Sequence, residues 1–592
     1  MNSEILKEWS LYQAGLDYNQ RVIIGEKSYY DTIDVNIAFA NDDQWRNVNA
    51  TDISKPTIPI LQKAKQYSIA NITSTSISAT IQPEEYASDE NERTPEMQEA
   101  IDATEMANAE IRNIFDRGKF EFKVREGLGD AFDIGDMCLH TYWDASAKPF
   151  KGKYSNVEGK ICYELVDGCN VMFGNANNPD PQKQPYIIVI GRDIVTNLEE
   201  EAKRYKNTIK VAEDTEYNYQ AGDNGKVEVE ADKYGKALYI IVYKKDKKTG
   251  TIKATKCTQH EYMYKDVDTG LHRYPVAWMN YKKQKNQYHG RAGATGLISN
   301  QIAINKLLAM IVYSVMKTAF PTMVYDASRM SAPTNEIGKA IPVKDMQIGE
   351  SVRNMAGYLE TGNVSAQVFS LIEMIITHTK DMLGINDAAV GNVTPDNTSA
   401  MALAEKLTSV PLENVRSNLY EFTEQFVDNL LDMMGTKYGL RPVKITDGDN
   451  SRYEMFDFAV MKELNVSKRI DVGAIGYTSE LSSIKELRDL LEMGAITVVD
   501  YLERMPEHQI PKVKELITDL KDRMGIMSAE ERQQRDAKYE QMVAFIETLP
   551  PEMQAQLKTL TDEELEATVE QMMAEGGGNP QMQGELNQLI GG

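Results

Sequence analysis

The sequence predicts an α+β fold in which helices dominate, on three observations. Apolar residues recur every three or four positions over much of the first 142 residues and of the second half, which is the period of an amphipathic helix. Residues 151–280 instead hold short runs such as KICYEL and ALYIIVYKK, separated by turn formers, as strands do. The length of 592 residues exceeds one ordinary domain, so we expect several modules.

The first elements are predicted in chain order from these patterns. Residues 1–20 form an amphipathic helix, and residues 56–83 form a helix that passes into an extended segment. Residues 95–142 are helical until Gly135, after which MCLHTYWD is a strand. One helix at 191–206 interrupts the strands of the central region.

Three long helical patterns occupy the second half, at 295–317, 364–384 and 398–435. Pro411 falls inside the third pattern and should kink that helix. Short extended pieces with Gly and Pro fill residues 318–363, between the first two helices.

The end of the chain changes character again. Residues 440–477 are rich in strand formers, and the chain from residue 479 onward is helical and charged. The last stretch, 576–592, has the Gly-rich and polar composition of a disordered tail.

Composition excludes several classes of protein. The net charge of −24, from 65 basic and 89 acidic residues, is opposite to that of a protein that grips DNA by neutralising phosphates. The four cysteines are too few and too scattered for a disulfide framework. No apolar run approaches the ~18 residues of a membrane span, and the start lacks a signal peptide. We therefore expect a protein of the cytoplasm, or of a particle assembled there, with no membrane partner.

Sequence motifs for catalysis are missing. The chain has no GxxxxGK[ST] phosphate loop. GRAGATG at 290–296 lacks the flanking strand and acidic residue of a dinucleotide site, so we interpret it as a flexible hinge before a helix. Cys138 with His140, and Cys257 with His260, fit no established metal-ligand spacing. We predict no catalytic residue, no metal and no cofactor, and no enzymatic activity.

The order of elements resembles the portal proteins of tailed bacteriophages. The most specific likeness is YPVAWMNYKKQKNQYHGRAGATGLISNQIAINKLLAMIVYSVMKTAFP at 274–321, where a Gly-rich turn leads into a helix carrying Gln301 and Asn305. Shorter likenesses, in the same order as in that family, are GDAFDIGDMCLHTYWD (129–144), YELVDGCNVMFGNANNPDPQKQPYIIV, MLGINDAAVGNVTPDNTSAMALAEKL (382–407) and LRDLLEMGAITVVDYLERMP (487–506). The resemblance covers roughly residues 30–525.

The resemblance implies a helix-dominated, ring-forming portal fold with wing, stem, clip and crown regions. Its expected domains are a wing at 1–290, stem helices at 291–317 and 364–383, a clip at 318–363, a tunnel loop at 384–398, a long kinked helix with a return to the wing at 399–478, a crown at 479–575 and a disordered tail at 576–592.

The resemblance also implies the function and the partners. A portal forms a closed ring, typically a dodecamer, at one capsid vertex of the virion, and double-stranded DNA is packaged and ejected through it without sequence-specific contact. The expected partners are the major capsid protein and scaffold, the terminase large subunit and the head–tail adaptor proteins. The alternatives are another structural virion component, such as an adaptor or minor head protein, and a packaging enzyme.

Three groups of candidate site residues follow from that anatomy. The candidate channel-facing cations are Lys306, Lys317 and Lys380, although lysines on helices are as often simply solvated. The candidate clip contacts are Asp326, Arg329, Lys339, Lys344, Asp345 and Arg353. The tunnel-loop residues are Asn386, Asp387, Val390, Gly391, Asn392, Val393, Thr394, Asp396 and Asn397. The apolar stripes of the stem helices would serve either ring contacts or a core within one chain.

Overall fold

Helix and sheet are mixed in this protein, at 48% helix and 23% strand, which confirms the α+β class. A computed structural model describes residues 5–24, 27–49, 53–73, 77–83, 94–213, 235–319, 322–332, 338–346, 348–358, 366–382, 410–447, 450–462 and 466–471, with short pieces between 487 and 520. The chain divides into two compact units, Met1–Thr478 and Ser479–Gly592.

The described helices include the predicted ones in the same order, together with one helix, Tyr29–Ala40, which the sequence patterns did not predict. They are α1 (Lys7–Arg21), α2 (Tyr29–Ala40), α3 (Ile60–Ile72), α4 (Pro95–Gly118), α5 (Phe120–Ile134), α6 (Val195–Arg204), α7 (Ile298–Ala319), α8 (Ala366–Asp381), α9 (Glu413–Lys437) and α10 (Val498–Glu503). In the second unit, Thr497 caps α10 through a reciprocal pair of hydrogen bonds with Asp500, the capping-box arrangement.

The strands form several small antiparallel sheets. They are β1 (Ile23–Ile24), β2 (Lys27–Ser28), β3 (Ser78–Pro83), β4 (Asp136–Asp144), β5 (Lys160–Asp167), β6 (Val171–Phe173), β7 (Tyr186–Ile194), β8 (Lys236–Lys245), β9 (Ile252–Cys257), β10 (Tyr262–Asp268), β11 (Val276–Asn280), β12 (Met323–Tyr325), β13 (Ala356–Tyr358), β14 (Leu440–Asp447), β15 (Asn450–Asp457) and β16 (Val466–Asp471). The largest sheet has the order β10-β9-β8-β7-β6, and a second has the order β11-β4-β5.

One core joins helices and sheets of the first unit. At its centre the ring of Phe120 stacks on Phe115 at 4.2 Å and on Phe426 at 5.0 Å, and Phe426 meets Tyr163 at 4.9 Å. These rings come from α4, α5, β5 and α9. Aromatic pairs at such distances add to the stability that area burial supplies, so α9 is held against the N-terminal half of the chain.

The kink at Pro411 stays a prediction, because residues 398–409, on its N-terminal side, lie outside the described residues. Within the described residues, Pro411 sits in a 3-10 turn, Val410–Leu412, and α9 begins immediately afterwards at Glu413. Proline has no N–H and clashes with a preceding helical turn. The same properties suit the beginning of a helix, where N–H groups have no partner within the helix.

The expectation that no apolar segment approaches the length of a membrane span is wrong for α7. By length and composition alone, α7 is apolar enough to cross a membrane, with a mean hydropathy of 1.4 over its best window. Ser299, Asn300, Gln301 and Asn305 interrupt its apolar sequence, and for this reason inspection of uninterrupted runs overlooks it.

The glycines before α7 have a packing role, and the prediction of a flexible hinge is wrong in that respect. A Cβ on Gly290 would lie 2.7 Å from the carbonyl oxygen of Gly135, and one on Gly293 would lie 2.7 Å from the ring of Phe132. Gly135 itself has a φ of 109°, a conformation that favours glycine. Small residues here allow the turn to pack directly against the end of α5.

We expect Gly290→Ala to lower the free energy of unfolding by about 1–3 kcal/mol, the cost typical of overpacking. All four tryptophans lie within Met1–Thr478, so urea unfolding followed by tryptophan fluorescence reports on this unit. Gly357→Ala is the control, because nothing lies within 4 Å of its added Cβ. Equal stability of the two variants would contradict the packing role.

A cluster of carboxylates lies between α3, α5 and β5. Burial, and then the charge of Asp167, raise the pKa of Asp130 to about 7, while Lys65 opposes the shift. Lys65 is instead ion-paired with Asp133. The folded state therefore keeps a proton on Asp130 at a pH where the unfolded chain has lost it.

Asp130→Asn should consequently be more stable than the wild type at pH 8, by on the order of 1–2 kcal/mol. The sign follows from a folded-state pKa above the unfolded value: stability is full below about pH 4 and is lost as pH rises towards 7. Urea unfolding between pH 3.5 and 8 measures this, with exposed Asp17→Asn as the control. If the free energy of unfolding of Asp130→Asn changed with pH in the same way as that of the wild type, the raised pKa of Asp130 would be ruled out.

Candidate functional site: a helical arm and its anchors

Helices α7 and α8 form an antiparallel pair. Asn300 in the first turn of α7 donates a hydrogen bond from Nδ2 to Oγ1 of Thr379 in the last turn of α8, at 2.9 Å. Ile372 and Thr379 are buried on the same side of α8. At the other end, β12 and β13 pair with Met323 opposite Tyr358. We call α7, β12, the segment 326–355, β13 and α8 the arm.

The segment 326–355 is folded at its base, in the part that the structure describes. The N–H of Asp326 donates to the carbonyl of Met355 at 2.8 Å. Arg329 forms an ion pair with Glu350 at 2.8 Å, and its carbonyl accepts from the N–H of Lys344 at 2.8 Å. These contacts hold the segment to β12 and β13.

All six candidate clip contacts lie on this segment. Arg329 is half-buried by its ion pair, and the other five are exposed. The five exposed residues are Asp326, Lys339, Lys344, Asp345 and Arg353. Asp326 accepts hydrogen bonds from Ser328, and the hydrogen bonds lower the pKa of the Asp326 carboxyl.

The two helices of the arm expose large apolar side chains. Met310 is 62% exposed, Val315 55% and Phe369 50%, and Met382, which directly follows α8, is 64% exposed. Tyr313, Met316, Leu371 and Met374 are also exposed. So many exposed large apolar side chains on two helices indicate a surface that another molecule covers.

The candidate cations of the arm do not share one face. Lys306 and Lys317 are about three turns apart on α7, which places both on the same side of that helix. Lys380 directly follows Thr379, which faces α7, so it lies about 100° away on α8. Because the helices are antiparallel, Lys306 and Lys317 lie on one broad face of the pair and Lys380 lies on the other. One face of the helix pair therefore cannot present Lys306, Lys317 and Lys380 together to a channel.

An amide network anchors the first half of α7. Oε1 of Gln301 accepts from the N–H of Ile60 at 3.2 Å, and its Nε2 donates to the carbonyl of Ile58 at 2.7 Å. Gln301 also donates to Asn305, which donates to Oε1 of Gln44 at 2.7 Å. The two residues that the family resemblance singles out, Gln301 and Asn305, are therefore buried structural contacts.

A second anchor is the buried carboxylate of Asp136, at the start of β4. One oxygen accepts from Nδ2 of Asn280 at 2.7 Å and from the N–H of Gly290 at 2.6 Å. The other accepts from Nδ1 of His289 at 2.6 Å and from the hydroxyl of Tyr29 at 3.3 Å. A buried carboxylate needs such donors because water is excluded.

His289 extends this network to the N-terminal helix. Its Nε2 lies 3.0 Å from Oδ1 of Asn19 on α1, and its ring stacks on Tyr29 at 3.8 Å. Both His289 and Asp136 are completely buried. Sequence reasoning missed this cluster because Asp136 is more than 100 residues from each of its partners, and a scattered histidine carries no spacing signal.

The tunnel-loop prediction lies outside the described residues. This applies to its range, 384–398, and to each of its nine named residues. Elsewhere, the residues that the structure describes include no group of three or more His, Cys, Asp or Glu that could hold a metal ion. No protein-family model matches the chain, and no curated protein matches its sequence.

We expect Asp136→Asn to lower the free energy of unfolding by about 2–3 kcal/mol, because an amide offers one acceptor oxygen in place of two and leaves buried donors without an acceptor. Urea unfolding followed by tryptophan fluorescence measures the loss. Glu421→Gln is the control: it breaks the exposed pair with Lys283, which is worth no more than about 1 kcal/mol. A loss at Asp136 no larger than at Glu421 would show that the network is not an anchor.

Proposed function

We propose that this chain is the subunit of a tailed-bacteriophage portal, a closed and non-enzymatic ring through which double-stranded DNA enters and leaves the capsid. The observation that carries the proposal is the arm: two antiparallel helices that are anchored at one end and expose apolar side chains along the rest. The order of elements around the arm supports the same assignment, and so does the likeness of several segments of the chain to portal sequences.

The burial pattern of α7 favours a partner along its free half. Its buried residues are Ile298, Gln301, Ile304, Asn305 and Ala309, all in the first part of the helix. None of residues 310–319 is buried, although this half is mainly apolar. A neighbouring copy that packs on both sides of the arm would cover this surface, and a ring supplies such a neighbour on each side.

A membrane is a poorer fit to the same surface. The free half of α7, residues 310–319, is about 15 Å long at 1.5 Å per residue, whereas the apolar core of a bilayer is about 30 Å thick. The other half is fixed to Gln44, Ile58 and Ile60 of the N-terminal region. The helix therefore lacks a free span of sufficient length.

The charge of the chain suits a conduit. A channel that bound DNA tightly would stall its movement, and counterion release makes basic walls adhesive. A net charge of −24 limits such adhesion over most of the surface. We propose the arm as the wall of the channel and the segment 326–355 as the part that docks the packaging motor and then the adaptor proteins. A dodecamer is the expected ring.

Electron microscopy of the purified full-length chain, with mass measurement in solution, tests the proposal. The expected result is rings with a central hole and the mass of about twelve copies. Monomers, or compact particles without a hole, would overturn it; compact oligomers would favour another structural virion component. Hydrolysis of ATP by the purified chain would instead favour a packaging enzyme.

We expect the double variant Leu371→Glu, Met374→Glu to abolish rings while leaving the fold of each subunit intact. Both side chains are exposed in the single chain, so charge costs little there, but it would be buried in the proposed ring contact. The readouts are ring content in micrographs and urea unfolding of the monomer. Thr377→Glu, an exposed polar position on α8, is the control and should retain rings.

A further inference from the structure

Lys282 and Arg291 lie directly opposite each other in an antiparallel bridge. The N–H of Arg291 donates to the carbonyl of Lys282 at 2.9 Å. Opposite residues project their side chains on the same side, about 5 Å apart at Cβ. Two exposed cations are therefore neighbours, an arrangement that destabilises a strand pair when both charges have the same sign.

No carboxylate relieves this repulsion within the described residues. Neither Lys282 nor Arg291 forms an ion pair there, whereas the adjacent Lys283 pairs with Glu421 at 2.5 Å. Partial burial, and then the charge of Arg291, lower the pKa of Lys282. In a chain with 89 acidic and 65 basic residues, an uncompensated pair of cations is the arrangement expected of an anion contact.

The beginning of α7 adds to the same field. Nη2 of Arg291 lies 4.0 Å from the position that a Cβ on Gly296 would occupy. Gly296 and Ser299 are exposed, next to the first turn of a 22-residue helix. The N–H groups of a first turn have no partner within the helix, and the helix dipole makes that end positive.

The position of the cation pair relates it to the arm. Asn300, in the first turn of α7, contacts Thr379, in the last turn of α8. The cations therefore lie at the anchored end of the arm, where α7 begins and α8 ends. This end is also where the chain passes from α8 towards the proposed tunnel loop.

We infer that Lys282 and Arg291 form a phosphate-contact site for the DNA backbone, which rests on the proposed function. The ligand chemistry is a phosphate oxyanion, held by an ammonium and a guanidinium without any contact to a base. A contact restricted to two cations steadies the duplex locally, while the acidic remainder of the surface does not bind it.

The test compares Lys282→Gln, Arg291→Gln, their double variant and a matched control, Lys283→Gln, all in the full-length chain. Each protein is first imaged, and binding of a short labelled duplex is then measured by fluorescence anisotropy over a series of salt concentrations. The double variant should bind the duplex about tenfold more weakly at low salt. The slope of the logarithm of its binding constant against the logarithm of salt concentration should be shallower by about 1.8, since each neutralised phosphate contributes about 0.9 to that slope. The control should match the wild type.

Equal affinities in all variants, or an equal loss in the Lys283→Gln control, would overturn the inference. Calorimetry with pyrophosphate distinguishes a DNA backbone from a free phosphate compound as the ligand. If the wild type binds pyrophosphate and the double variant does not, while both proteins bind the duplex with equal affinity, the DNA assignment is wrong. Wild-type rings whose DNA binding is insensitive to both substitutions would reject this site and leave the proposed function standing. A wild type without rings would reject the proposed function itself.

Discussion

The buried carboxylate of Asp136 is the constraint on which the centre of the first unit depends. A negative charge without water must be surrounded by donors, and here the donors come from α2, the end of β11 and the 288–290 turn. Those segments are distant in sequence, so satisfying one charge fixes their relative positions. The Gly-rich turn packs against the same place because glycine allows backbone to approach backbone.

The arm is built outward from this fixed base. Its first half is tied down by the amide network of Gln301 and Asn305. Its second half leaves apolar side chains exposed, which would be unfavourable in an isolated chain in water. A firmly held base and an uncovered extension together are the physical basis of the proposed ring, since a neighbour can bury the extension without moving the base.

Charge is distributed unevenly over the chain, and for contact with a polyanion this distribution matters more than the net charge. The chain is strongly acidic, yet α7 carries no acidic residue, and Lys282 and Arg291 are adjacent without a carboxylate in the described part of the chain. The exposed lysines of α7 lie on one face of the arm and Lys380 lies on the other. Local cations on an acidic background permit contact with a polyanion at chosen points while general adhesion stays weak.

The sequence by itself determined the local elements: the periodicities at 1–20, 295–317 and 364–384 correspond to α1, α7 and α8, because side-chain spacing along a helix or strand is a short-range property. It did not determine the role of the glycines before α7, or of His289 with Asp136. Each of these depends on neighbours far away in the chain, such as Asn19 and Gly135. Only the tertiary structure decides which distant groups share a buried site, because burial is a property of the packed molecule and not of a segment.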